Sequence, residues 1–171
     1  SIQLIEGNTL TQADTHEIML NIVEEKYNVQ QIAALFMAMQ TRGVTVDELL
    51  GFRQGLLETG KYLDFSEYDT LDIVGTGGDG KNTFNISTCS AFVIAGAGYQ
   101  VTKHGNGGSS SVSGASNVLQ GHGVKFTDDI NLLKRSLEEA GICYFHAPLF
   151  AYGMKFVGPT RKALGIPTCF N

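Results

Sequence analysis

An α/β fold with a leading all-helical domain is what this sequence predicts, and three observations carry the prediction. Up to about residue 66, apolar residues recur at three- and four-residue spacing with no alternating strand pattern. From there on, short apolar runs, glycine turns and amphipathic stretches alternate, the order that builds a parallel sheet flanked by helices. Glycines cluster at one turn: Gly75, Gly77, Gly78 and Gly80 follow a strand and precede a helix. The expected divisions are a helical domain over 1–66, an α/β domain over 67–150, and over 151–171 a helix that returns to the helical domain before the sequence stops.

In the leading domain, "TQADTHEIMLNIVEEKY" opens on Thr11 and Asp14 in near capping-box spacing and sets Ile18, Met19, Ile22 and Val23 on one face. "VQQIAALFMAMQTRG" predicts a second helix ending at Gly43, its methionines read as core. "TVDELLGFRQGLLETG" predicts a third, with Thr45 and Glu48 in capping-box spacing. In the α/β part, "LDIV", "YQVTKHG" and "ICYFHAP" read as strands. "ISTCSAFVIAGAG", "SGASNVLQGHG" and "DDINLLKRSLEEAG" read as the helices between and around them. "YGMKFVGPTRKALG" predicts a last helix, with Pro159 near its start or at a kink.

Composition narrows the function. The formal net charge is −5, with 12 Lys and Arg against 17 Asp and Glu, which gives no basic footprint for nucleic acid. An anionic ligand must then be held by local features. Three widely spaced cysteines, Cys89, Cys143 and Cys169, fit neither a disulfide framework nor a paired-thiolate zinc site, and a reducing cytoplasm is the expected setting. The start of the sequence lacks a secretory pattern and "AFVIAGAG" is too short to span a bilayer, so no membrane role is expected.

Two glycine-rich segments carry the chemistry. In "DIVGTGGDGKNTFNIST", glycines at a strand's carboxyl end bring main-chain N–H groups against an anion, and the following helix adds unpaired N–H groups and a positive dipole end. "GTGGDG" also satisfies the dinucleotide pattern G-x-G-x-x-G, but the next strand ends in Lys103 and His104 where that reading needs an acid. The side chains of Asp79, Thr83, Asn85, Ser87 and Thr88 suit ribose hydroxyls, phosphate oxygens and a hydrated Mg2+. "KHGNGGSSSVSGAS" follows the second strand, with Lys103 as a point charge for phosphate and a run of glycine and serine donors. No G-x-S-x-G elbow marks a serine nucleophile. His104 is placed to reach a ligand, whereas His16, His122 and His146 read as structural or solvated.

"GTGGDGKNTFNIST" and "KHGNGGSSSVSGASNVL" closely resemble the signatures of the anthranilate phosphoribosyltransferases of tryptophan biosynthesis, and the resemblance runs on through "APLFAYGMKFVGPTRKALGIPTCFN". It implies the fold of the nucleoside phosphorylase and class III phosphoribosyltransferase group, with the sheet incomplete in this chain. It implies transfer of the 5-phosphoribosyl group from phosphoribosyl pyrophosphate (PRPP) to anthranilate, with Mg2+ as cofactor and no side chain assigned as acid or base. By motif position, Gly75, Gly78, Asp79, Thr83, Asn85, Ile86, Ser87 and Thr88 cradle the diphosphate and ribose, and Ser87 also touches the metal. Lys103 is a phosphate ligand, joined by Gly107, Gly108, Ser109, Ser110 and Ser111. Gly75, His104, Asn106 and Arg161 contact anthranilate. The resemblance further implies a homodimer formed through the helical domain.

The sequence also departs from that family. Gly107 stands where Arg is common, Ala115 where Ser is usual and Asn117 where Asp is usual, each a lost contact by expectation. The family continues beyond "TCFN" for about as much chain again, including an acidic pair for Mg2+, so the sequence is expected to be part of a longer enzyme. Two other readings remain at this point: an enzyme similar to pyrimidine nucleoside phosphorylase, and a non-catalytic relative that binds a phosphorylated ligand.

Overall fold

A computed structural model describes residue 4 and residues 6–75, 83–108, 113–166 and 168–170. The chain divides into two compact units, Ser1–Lys61 with Ala151–Asn171, and Tyr62–Phe150.

Three capped helices begin the first unit. Helix α1 (Gln12–Val23) starts at Thr11, whose hydroxyl accepts the Asp14 N–H while the Asp14 carboxylate accepts the Thr11 N–H. Helix α2 (Val29–Arg42) uses Asn28 and Gln31 in the same reciprocal way and stops at Gly43, whose φ of 89° suits only glycine. Helix α3 (Val46–Glu58) has the capping box expected of Thr45 and Glu48. Its Gly51 lies so close to α1 that a Cβ there would fall 2.0 Å from Thr15 Oγ1 and 2.2 Å from Gln12 O. That missing side chain lets the two helices touch backbone to backbone.

Glu48 also does more than cap. It is fully buried, and its carboxylate accepts from the N–H groups of Leu10 and Thr45 and from Arg42 Nη2 at 2.6 Å. Burial pushes its pKa up, but those hydrogen bonds and the guanidinium outweigh burial and hold it below the ordinary carboxylate value.

The unit's core joins Met19, Ile22, Ile32, Phe36, Met39, Phe52, Val157 and Phe170. Val157 comes from a helix after the second unit, labelled α8 below (Met154–Leu164), and Phe170 seats its ring 5.0 Å from Phe52 and 5.2 Å from Phe36. Of the methionines in "ALFMAM", Met39 is core as expected, but Met37 is exposed. Pro159 is not near the start of α8; it sits sixth of eleven residues, where its missing N–H leaves the Lys155 carbonyl without its i+4 donor.

In the second unit, strand β1 (Thr70–Leu71), helix α4 (Ile86–Gly96), strand β2 (Gln100–Gly105), helices α5 (Ala115–Gly121) and α6 (Ile130–Ala140), strand β3 (Ile142–His146) and the one-turn helix α7 (Ala147–Phe150) follow in order. The described strands form a small open parallel sheet in the order β1-β2-β3. Registers run from Val101↔Ile142 to Gly105↔His146 on one side, and Thr70↔Gln100 and Leu71↔Val101 on the other. Leu133, Leu137, Cys143 and Phe150 form its core, with Phe65, Tyr68 and Phe145 packed against them. The α/β character and the parallel sheet expected from the sequence are therefore present.

Strand β1 is shorter than "LDIV" predicts, for a visible reason. After Leu71 the main-chain ladder gives way to side chains: Asp72 Oδ1 accepts the His104 N–H at 3.1 Å, and Lys103 Nζ donates to Ile73 O at 2.6 Å.

Candidate functional site

Those two side-chain bonds mark where the carboxyl ends of β1 and β2 meet, and both glycine-rich segments leave the sheet there. Lys103 is only 2% exposed, and its ammonium reaches the carbonyl two residues before Gly75. Burial pushes its pKa below the ordinary lysine value, with the Asp72 carboxylate opposing. Among the described residues the Ile73 carbonyl is its hydrogen-bond partner, and an ammonium has three N–H bonds to place, which leaves donor capacity for an anion.

The first segment returns to the same place. Gly75 approaches α4 so closely that a Cβ would lie 3.2 Å from Ser87 Oγ. Helix α4 differs from α1, α2, α3 and α6, whose N-cap side chains each accept a first-turn N–H. Its N-cap, Asn85, makes no such bond and instead points Nδ2 at Ser113 O, 3.5 Å away in the second segment. The Asn85 side chain thus caps none of the first-turn N–H groups next to Ser87 and Thr88, at a helix end that favours negative charge. Thr83 and Ile86 are exposed, Ser87 is half-buried and Thr88 is buried.

The second segment is closed at its neck. Asn117 Oδ1 accepts the N–H groups of both Gly108 and Gly114, each at 2.9 Å. A Cβ on Gly114 would lie 2.3 Å from Gly108 N and 2.4 Å from the Gly107 carbonyl carbon, so the neck closes only around glycine. Asn117 therefore supplies through its amide oxygen what the carboxylate usual at that position would supply in this contact. A Cβ at Gly107 would stand in ordinary contact, 3.4 Å from Asn117 Oδ1. Asn106 is exposed and its Oδ1 accepts the Gly107 N–H at 2.7 Å.

The structure thus gathers Gly75, Asn85, Ser87, Lys103 and His104 around the adjoining ends of β1 and β2, with Asn106, Gly107 and Gly108 leading into the second segment. Gly78, Asp79, Ser109, Ser110 and Ser111 lie outside the described residues. Arg161 belongs to the first unit, in the last turn of α8, where it is half-buried. Burial pushes its pKa down, with Cys169 opposing. Asp72 and Asn117 are two residues whose roles the sequence reading missed. For Asp72 the available signal was an acid at a strand end directly before a glycine loop; for Asn117, an amide three residues after a glycine at a helix start, the capping-box spacing.

This arrangement can bind a phosphorylated ligand: a helix end that its N-cap side chain leaves open, small hydroxyls and one buried ammonium converge at a sheet's carboxyl edge. Among the described residues, no group of three or more His, Cys, Asp or Glu side chains forms a metal cage. An Mg2+ ion needs none where a ligand's phosphates and water supply most of its oxygens, and Ser87 offers one hydroxyl oxygen at the uncapped helix end.

Comparison with known proteins agrees with this geometry. The sequence model described as "Glycosyl transferase family, helical bundle domain" matches residues 2–60, and that described as "Glycosyl transferase family, a/b domain" matches residues 67–171. The chain belongs to this family. It is 57% identical over 169 residues to an anthranilate phosphoribosyltransferase of Phocaeicola vulgatus, covering 99% of this chain and 51% of the relative. Its structure is similar to that of anthranilate phosphoribosyltransferase from Thermus thermophilus, with a TM-score of 0.86 and 33% identity over 98% of this chain and 51% of the other. It is also similar to the Saccharomyces cerevisiae enzyme in complex with PRPP and Mg, with a TM-score of 0.84 and 30% identity over 94% of this chain and 48% of the other. The chain of this glycosyl transferase family member spans about half the length of the relatives it matches.

Proposed function

We propose that this protein serves the transfer of the 5-phosphoribosyl group from PRPP to the amino group of anthranilate, giving N-(5-phosphoribosyl)anthranilate and pyrophosphate. The observation that carries the reading is the meeting of the two glycine-rich segments at the ends of β1 and β2, bound together by Lys103 and Asp72. The likeness to anthranilate phosphoribosyltransferases over nearly the whole chain supports the choice of substrates.

The chemistry follows from what these groups can do. The C1–O bond to pyrophosphate breaks as the ribose gains oxocarbenium character, and the anthranilate nitrogen bonds to C1 and releases a proton. An aryl amine is mostly neutral near pH 7, so no side chain has to deprotonate it before attack. The protein then acts by holding the leaving group's charge and aligning the amine. In this reading Gly75, Gly78, Asp79 and the start of α4 from Thr83 to Thr88 receive the diphosphate and ribose. Lys103 and the Gly107–Ser111 segment add donors, with Ser87 as the protein's oxygen on Mg2+. When bound, that ion neutralises charge on the departing pyrophosphate. His104, Asn106 and Gly75 face the aromatic acid, and Arg161 matches its carboxylate as a bidentate donor.

The same reading places the protein in the cytoplasm and pairs two copies through the first unit. All three cysteines are free thiols, and Cys143 is buried. Among the described residues, no helix is long and apolar enough to cross a membrane. Val29, Val46 and Leu57 of the first unit are 60%, 73% and 61% exposed, apolar side chains that pairing with a second copy would cover. The test is to mix the protein with anthranilate, PRPP and Mg2+ and follow anthranilate fluorescence, with PRPP binding measured in parallel. Fluorescence loss with pyrophosphate release supports the reading. Absence of turnover together with absence of PRPP binding refutes it.

A further inference from the structure

Beneath the end of β2 lies a buried polar group that the proposed reaction does not use. Ser116, in the first turn of α5, is 2% exposed, and its Oγ stands 2.8 Å from the Tyr144 hydroxyl and 2.9 Å from His146 Nδ1. Phe126 stacks on the His146 ring at 4.4 Å and leans on Tyr144 at 5.1 Å, closing the group from the side. The cluster grips the strand end above it. The Ser116 N–H donates to Asn106 O at 3.1 Å. A Cβ on Gly105 would lie 2.6 Å from the Tyr144 oxygen, so the phenol fits only under a glycine.

Proton counting fixes the direction of this chain. Ser116 has one hydroxyl proton for two neighbours. The Tyr144 hydroxyl is buried, and among the described residues its hydrogen-bond partner is Ser116, so the phenol must donate there to avoid an orphaned buried donor. Ser116 then donates to His146 Nδ1, which must be unprotonated, leaving the ring proton on Nε2. Protonating Nδ1 would aim a third proton into the cluster and leave either the serine or the phenol proton without an acceptor there. Among the described residues, His104 on β2 is the titratable neighbour of His146, Tyr144 on β3 and Ser116 on α5 are the other polar groups of the cluster, and Phe126 brings only its ring. Burial, and then His104, both push the His146 pKa below its ordinary value, which agrees with a neutral ring.

We propose that Tyr144, Ser116 and His146 form a one-way hydrogen-bond relay that positions Asn106 and His104 while His146 is neutral. Their use toward the aromatic acid rests on the function proposed above. All three are positioning residues acting through the end of β2, and none touches a substrate. The relay spans β3, the first turn of α5 and the β2 end, so loss of one hydroxyl is felt at residues 104–106.

Three measurements on the protein and on its Ser116→Ala and Tyr144→Phe variants decide it. Long-range 15N–1H spectra should show His146 as the Nε2–H tautomer at neutral pH, and each variant should raise its titration midpoint, because the donor that favours the neutral ring is lost or weakened. The main-chain amides of His104 and Asn106 should shift in both variants while amides in the first unit stay put. An Nδ1–H tautomer in the parent protein, a midpoint unchanged in both variants, or unmoved amides at 104 and 106 would each overturn the relay. Anthranilate affinity, read by fluorescence titration, should weaken about threefold to tenfold in Ser116→Ala. If the parent binds no anthranilate, the proposed function fails, and the tautomer and amide shifts still decide the relay.

Discussion

Replacing Lys103 with Met separates the two jobs that the structure gives this side chain. Within the fold, its buried ammonium donates to Ile73 O at 2.6 Å and ties β2 to the stretch that leads to Gly75. A hydrogen bond to a charged group contributes about 1.5–3 kcal/mol, but burying the ammonium offsets part of that, and methionine fills a similar space without the charge. The net cost in stability is therefore about 1–2 kcal/mol, a fall in Tm of roughly 2–8 °C for a chain of this size. Against a diphosphate, loss of the only buried ammonium among the gathered residues removes a charge-assisted contact, and PRPP affinity should drop about tenfold to a hundredfold. Calorimetric titration with PRPP and Mg2+, alongside thermal unfolding, reads both quantities. The ammonium's help to binding is present below its lowered pKa and disappears as pH rises through it, so affinity in the parent should fade before pH reaches 10.5, the ordinary lysine value. A folded Lys103→Met protein that binds PRPP within about twofold of the parent would refute the argument.

Two further outcomes follow from the same geometry. Gly114→Ala forces a Cβ into the backbone of Gly107 and Gly108, so PRPP affinity should fall roughly tenfold or more with little change in Tm, read by the same titration; an unchanged affinity would show that the neck does not shape the segment. Glu48→Gln leaves Arg42 facing a neutral amide in a fully buried place and should cost about 3 kcal/mol at pH 7 by denaturant unfolding. The folded-state pKa of Glu48 lies below its unfolded value of 4.5, so its stabilisation is present above pH 4.5 and lost as pH falls through the folded value. The parent should lose stability across that acid range while the variant stays flatter; equal curves would contradict the buried-pair account.

Local chemistry was legible in the sequence where partners are close along the chain. Thr45 with Glu48 and Thr11 with Asp14 gave helix starts because a capping box needs only a three-residue spacing. The change from helical spacing to alternating strand and helix near residue 66 is likewise a local pattern, read without any long-range contact. What the sequence hid depends on contacts across elements. The early end of β1 arises from Asp72 and Lys103 taking over its ladder, groups that a whole helix separates along the chain. The relay joins residues 28 and 30 positions apart, so His146 read as an ordinary structural histidine when viewed alone. Asn117 looked like a lost contact by motif position, yet its amide oxygen closes the neck from Gly108 to Gly114. Of the two places expected for Pro159, near a helix start or at a kink, the first is overturned: mid-helix proline is a cost of about 3 kcal/mol, not a prohibition, and Val157 and Thr160, buried on either side of it, hold the helix in place.

The central claim is that a diphosphorylated sugar binds where β1 and β2 end, and a titration of the 15N-labelled protein with PRPP and Mg2+ tests it most directly. The account predicts saturable shifts at Gly75, Ser87, Thr88, Lys103 and Gly108, with inorganic phosphate shifting fewer of them and more weakly. Saturable shifts confined to other surfaces, or none at millimolar PRPP, would contradict it.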